Sequence, residues 1–244
     1  MRRNRRWMLL VLLVVLASCG AINAKEFALP EVRITAQVNP DGSLSVSERR
    51  TYRFSGSFAW ASMWIPTMER QAIEGVAIAE GERSYTESTS EAPGTFRVTS
   101  AAGRTDIKWF YQAEDEERTF TISYLVRNAV RVYADVAELY WQFIGSGWDV
   151  DTQHAEVLVA LPRGAPPESV RVWGHGPLHG TVSLVDSTTA RWQVSKLSAH
   201  QFLEVRMTFP PSLVSQAERR EEKAAIPSIL AEEEEWAARA NRMR

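Results

Sequence analysis

Val32-Arg33-Ile34-Thr35-Ala36-Gln37-Val38-Asn39-Pro40-Asp41-Gly42-Ser43-Leu44-Ser45-Val46 is the stretch that decides how this chain folds. Val32, Ile34, Ala36 and Val38 alternate with Arg33, Thr35, Gln37 and Asn39, which is the pattern of a strand with one buried face. At Asn39-Pro40-Asp41-Gly42-Ser43 proline presets φ and glycine accepts φ > 0, so the chain turns back. Leu44 and Val46 open a return strand that runs through Phe54, and the two strands form a hairpin. Glu48 and Arg50 share the parity of Leu44 and Val46. The return strand must therefore leave the core, bulge, or pair those charges near an edge.

The same alternation recurs along the chain. Ile107, Trp109 and Tyr111 make one set, and Phe120, Ile122, Tyr124 and Val126 another, with a solvated acidic turn at Glu114-Asp115-Glu116-Glu117 between them. Further sets are Ala155 to Leu161, Val170 with Val172, Val182 with Leu184, Trp192 with Val194, and Leu203 to Phe209. About ten short strands with no helical pattern between them imply an all-β fold. The expected architecture is an antiparallel β-sandwich, immunoglobulin-like or related, with closure as a barrel the lesser alternative. The polar stretch Glu80 to Gly94 reads as an exposed loop or ragged hairpin inside this domain.

Both ends depart from the pattern. Arg2, Arg3, Arg5 and Arg6 precede an apolar run from Trp7 to Ala17, the form of an export signal. Its roughly eleven apolar residues are too few to span about 30 Å of hydrocarbon as a stable anchor. Leu16-Ala17-Ser18-Cys19 resembles a bacterial lipobox, in which the Cys19 thiol takes a lipid as a thioether. The alternatives are cleavage after Ile22-Asn23-Ala24, which discards the cysteine, and retention as an uncleaved anchor. At the other end, residues 213–244 are rich in Ala, Glu and Arg, strong helix formers, and Pro227 divides them into two pieces. Ile229, Trp236, Ala240 and Met243 form a narrow stripe, so a semi-detached helical tail is expected, packed on a partner or standing in solvent. The domain organisation is thus a signal segment at 1–24, an exported β-domain at 25–211 and a charged tail at 212–244.

Composition is ordinary for a globular protein, with 45% hydrophobic and 24% charged residues among 244. The formal net charge of −2 includes four signal arginines; without them 24 basic residues face 30 acidic ones, a balance of −6. Such a charge draws neither nucleic acid nor an anionic membrane surface, and nucleic-acid binding is rejected. Cys19 is the only cysteine, so no intramolecular disulfide and no cysteine metal cluster can form.

The block Tyr133-Ala134-Asp135-Val136-Ala137-Glu138-Leu139-Tyr140-Trp141-Gln142-Phe143-Ile144-Gly145-Ser146-Gly147-Trp148-Asp149-Val150 is the strongest local signature. With Asn39 to Leu44, Arg53-Phe54, Ile65-Pro66, Leu161-Pro162, Gly180 and Phe209-Pro210, it resembles the N-terminal region of domain-of-unknown-function family 2207, the YciQ-like predicted membrane proteins. The resemblance covers about residues 26 to 241. It implies an exported β-rich domain followed by transmembrane helices, with the 231–244 helix leading toward the first of them. No later stretch of this sequence approaches about 18 apolar residues, so either the chain is a fragment or a lipid on Cys19 replaces the missing anchor. The resemblance transfers no activity and no catalytic residue.

Read from its residues, the aromatic block is mostly architectural, with Tyr140, Trp141, Phe143 and Trp148 bringing large area to bury. A ligand surface on Trp148 and Asp149 is the alternative. Trp60 and Trp64 share one face, and burial in the core is preferred to a sugar- or lipid-contacting surface. His175 and His179 are separated by glycines and Pro177, which forbid a helix, so a loop is expected rather than a metal site. Asp149 and Asp151, on one strand face, together with Asp135 and Glu138, can be imagined as an acid and base pair, though sugar hydrolases usually set such groups across a cleft from separate elements. No cofactor or metal is expected. The reading is a non-catalytic cell-envelope domain, membrane-tethered and binding a protein or envelope component. The alternatives are a carbohydrate-binding module using Trp60, Trp64 or Trp148, and an envelope hydrolase using Asp149 and Asp151.

Overall fold

The hairpin lies in the middle of the largest of three sheets in the computed structural model, which describes residues 25–242 apart from Glu69 and Ala102. Cys19 and the other residues read above as a signal segment lie outside the described residues. The strands in chain order begin with β1 (Glu26–Val38), β2 (Leu44–Ser55), β3 (Ser57–Pro66) and β4 (Ala72–Glu80). Short β5 (Arg83–Ser84) and β6 (Thr86–Glu87) precede β7 (Thr95–Ala101), β8 (Arg104–Glu114) and β9 (Glu117–Arg127). Next come β10 (Val130–Val132), β11 (Ala137–Ile144), β12 (Thr152–Ala160) and β13 (Arg171–His175). The series closes with β14 (Thr181–Leu184), β15 (Thr189–Val194), β16 (Leu203–Phe209) and one helix, α1 (Ile226–Arg242).

The eight-stranded sheet runs β14-β15-β12-β1-β2-β9-β4-β5, and two four-stranded sheets run β3-β8-β7-β6 and β10-β11-β16-β13. The fold is all-β and sandwich-like, with multiple antiparallel sheets. Among the described strands two pairings are parallel: β1 with β12, in register Val32 to Ala155, and the short pair β6 with β7. One contiguous core joins the three sheets, including Val32, Ile34 and Val46 of the large sheet, Ile107 and Trp109 of the first small sheet, and Leu139 and Met207 of the second.

The hairpin turn forms as its residues dictate. Gly42 adopts φ +77°, its N–H bonds the Asn39 carbonyl at 2.9 Å, and Asp41 accepts the Ser43 N–H at 3.0 Å. The charges on β2 take none of the three courses in full. The strand stays in the core with no bulge in its pairing to β9, and it lies between β1 and β9 rather than at an edge. Glu48 and Arg50 remain buried there, 0% and 1% exposed, because they neutralise each other.

Other expectations change in the fold. Residues 145–151 form turns and bends, so Asp149 and Asp151 do not share a strand face. The tail is one helix, with Pro227 in the first turn, where its missing N–H costs nothing. The first half of the tail is instead a short 3-10 turn at Pro211–Val214 followed by irregular chain with turns and bends. That chain bonds β10, with the Val132 N–H donating to Arg219 O at 2.9 Å and the Glu221 N–H to Val132 O at 2.8 Å. The helix is not detached: Ile229 and Glu233 are buried against the second small sheet and its connections.

Candidate functional site

A cavity of about 140 Å³ opens where the three sheets converge. Its floor comes from the large sheet, with Glu48 and Arg50 of β2 and Tyr124 of β9. The wall formed by β3 and β8 carries Trp64 and Asp106, and Gln142 of β11 and Trp148 of the following connection complete the lining.

The floor is a closed charge pair with one loose end. Arg50 Nε donates to Glu48 Oε2 at 2.8 Å and Nη2 to the same oxygen at 2.5 Å. The Tyr124 hydroxyl donates to Glu48 Oε1 at 2.5 Å. Burial works against the Arg50 charge, but the Glu48 carboxylate more than offsets it and holds the guanidinium ionised. Burial, reinforced by Glu48, pushes the Tyr124 phenol well above its usual range, so it stays a donor. Arg50 Nη1 has no hydrogen-bond partner. A buried donor left this way costs about 1–3 kcal/mol, and more when charged.

Trp148 lies over that guanidinium, with Arg50 Cζ 4.7 Å from the ring centroid, a cation–π contact. Trp64 stands beside the same connection: a Cβ on Gly147 would come within 2.9 Å of Trp64 Nε1. The absence of a side chain at Gly147 is what lets the two indoles share one rim.

Trp60 and Trp64 correct the expectation of burial, being 52% and 41% exposed. Their strand edges a small sheet, and Met63 and Ile65 supply its buried face. The three tryptophans do not form one surface. Trp60 stands apart from the cavity with Lys108 Nζ 4.3 Å from its ring centroid. The Asp149 side chain is 88% exposed, 3.9 Å from His200 Nε2, and does not line the cavity. Asp151 pairs with Lys196 at 3.2 Å and accepts the Ala199 N–H at 2.9 Å. Asp135 caps α1, accepting the Ala225 and Ile226 N–H groups at 2.8 and 3.1 Å. Reasoning from sequence missed Glu48, Arg50, Tyr124 and Gln142 as site residues. The one available signal was the parity of Glu48 and Arg50, two charges written onto a core face.

A second polar cluster fastens α1. Arg206 of β16 binds Glu138 at 2.6 Å, Glu232 at 2.7 Å and Glu233 at 2.8 Å. His175 ends β13 rather than sitting in a loop; its Nε2 lies 3.1 Å from Glu233 and its Nδ1 3.5 Å from Glu204. Trp236 meets the imidazole edge-on at 4.5 Å. Burial opposes a charged His175, but Glu204 and Glu233 outweigh it and push its pKa up to about 9. His179 is separate, with Nε2 3.0 Å from Lys196 O. Among the described residues no group of three or more His, Cys, Asp or Glu side chains could hold a metal ion. Among them, too, no helix is long and apolar enough to cross a membrane.

Fold and cavity together define a sandwich-like all-β domain with a small, aromatic-rimmed, polar-floored cleft. Residues 28–209 match the family described as "Predicted membrane protein (DUF2207) N-terminal domain", and the chain belongs to that family. No curated protein matches it. Among solved structures, a candidate protease from Parabacteroides distasonis is similar at 9% identity and TM-score 0.43, over 76% of this chain and 41% of that one. A candidate nutrient binding protein from Legionella pneumophila is similar at 9% identity and TM-score 0.47, over 74% and 66%. Yeast LTA4 hydrolase, solved with bestatin, is similar at 11% identity and TM-score 0.44, over 74% and 28%. The chain thus spans less than two thirds of the length of each of these proteins.

Proposed function

We propose that this chain is the extracytoplasmic, non-catalytic part of a membrane protein, and that it acts by binding a protein or envelope component at the Trp64–Trp148 cleft. The observation that carries the reading is the buried Arg50, whose Nη1 is unpartnered beneath an aromatic rim. Of the buried polar atoms without a partner among the described residues, which include Arg191 Nε and Trp109 Nε1, Arg50 Nη1 is the one on a residue that lines this cleft. The hydrolase alternative draws no support from its own residues, since Asp149 lies in solvent and Asp151 is committed to Lys196 and a backbone amide. The tether is either a lipid on Cys19 or transmembrane helices beyond α1.

The test has two parts. Alkaline phosphatase fused after Phe209 is expected to be active in cells, and an inactive but intact fusion would place the domain on the cytoplasmic side. Labelled palmitate is expected on the wild-type chain and not on Cys19→Ala if the lipid is the tether. Hydrogen exchange with and without purified envelope fragments then reads the binding surface. Protection is expected at residues 142–148 and 62–66, and unchanged exchange there would remove the cleft from consideration.

A further inference from the structure

We infer that the cavity where the three sheets converge is a subsite for one uncharged, hydroxyl-bearing six-membered ring, a sugar of the pyranose type. The inference rests on the reading of the cleft as a binding surface and names its ligand class.

Size comes first. The cavity holds about 140 Å³, close to the roughly 150 Å³ of an engineered cavity that takes up benzene. The six-membered ring itself enters with its outward hydroxyls left at the open mouth, and a chain does not enter lengthwise.

Polarity comes second. A hydrophobic ring would leave the polar groups on the lining unanswered. Arg50 offers an unpartnered Nη1, Gln142 brings an amide with both a donor and an acceptor, and Ser62 a hydroxyl. Asp106 adds a carboxylate whose Oδ2 is bonded outward to Arg104 at 2.9 Å. A sugar hydroxyl both donates and accepts, so it answers such a mixed lining where a pure acceptor or a pure donor does not.

Charge comes third and separates a neutral sugar from an acidic one. Arg50 is cancelled by Glu48 at the floor, and the Asp106 carboxylate on the wall is likewise paired, with Arg104 at 2.9 Å. An entering carboxylate or phosphate would find no surplus cation. The rim suits a ring as well, because Trp64 and Trp148 present indole surface against which the C–H face of a sugar can lie. One face of Trp148 already rests on Arg50, so a ring seated in the cavity changes the surroundings of its indole and makes that residue the reporter.

The experiment is fluorine NMR on the whole chain labelled with 5-fluorotryptophan, with the Trp60, Trp64 and Trp148 signals assigned through single Phe substitutions. The probes are methyl β-glucoside, N-acetylglucosamine and maltose as neutral rings, glucuronate as the charged counterpart, and benzyl alcohol as a ring without the hydroxyl pattern. Saturable shifts of the Trp64 and Trp148 signals are expected with at least one neutral sugar, while Trp60 stays still. Gln142→Ala should weaken that binding at least tenfold with Tm unchanged. Response to glucuronate alone, or to benzyl alcohol alone, overturns the ligand class. Silence to every soluble probe while envelope fragments still shift Trp148 overturns the sugar inference and leaves the binding surface standing. Silence to both overturns the two together.

Discussion

Arg50 is a cation that water barely reaches, held ionised by a neighbour two residues away on the same strand face. Removing one member of such a pair leaves an uncompensated buried charge, whereas removing both for apolar groups of similar volume is often neutral or better. Arg50→Met should therefore lower unfolding free energy by about 3–5 kcal/mol in urea titrations. The double variant Glu48→Leu/Arg50→Met should recover most of that loss, with Tyr124 then lacking its acceptor. A double variant no more stable than the single one would show that the pair contributes through specific contacts rather than mutual neutralisation. The parity of these two residues was legible in the sequence, but their destination was not. It depends on Tyr124, far along the chain, and on Trp148, which lies on an irregular connection with no periodic signal.

Single elements show where local patterns suffice. The β1–β2 hairpin was readable because alternation and a Pro-Asp-Gly turn act over a few residues. Gly42 has φ +77°, and a Cβ there would meet the Ala217 Cβ at 2.7 Å. Gly42→Ala should cost about 1–3 kcal/mol of stability, since strain in that backbone region adds to the clash. For α1 the apolar stripe was legible, while its partner was not, because the sheet answers the helix with charge. Below pH about 6.5, the unperturbed value for histidine, the His175 contribution to helix docking is complete. It fades as pH rises through the folded value of about 9. Glu204 behaves oppositely. Burial opposes its ionisation, but His175 and Tyr140 hold its pKa below the usual range, so its contribution is lost as pH falls through that lowered value. Exchange of α1 amides should thus quicken from pH 6.5 to 9 beyond the intrinsic chemical rate, and His175→Gln should remove the extra slope. An unchanged slope in the variant would acquit the imidazole.

At the scale of the molecule, one core spans all three sheets, whereas α1 rests on a small satellite cluster of Tyr133, Val136, Ala225 and Ile229. Cooperative units follow contiguous packing. Unfolding monitored by tryptophan fluorescence and by far-ultraviolet circular dichroism should give one coincident transition, while native-state exchange should release α1 at lower free energy than β1, β2 and β9. Two separated sheet transitions would contradict a shared core. By itself the sequence determined the strand periodicity, the hairpin and the β class, and through its aromatic-glycine block it pointed to the family, because alternation and turn chemistry are local properties. Only the tertiary structure decided that Glu48 and Arg50 stay inside, that Trp64 lines one cavity with Trp148 while Trp60 does not, and that the tail docks. Each of these turns on which distant strands become neighbours, and periodicity tells which residues share a face without telling what covers it.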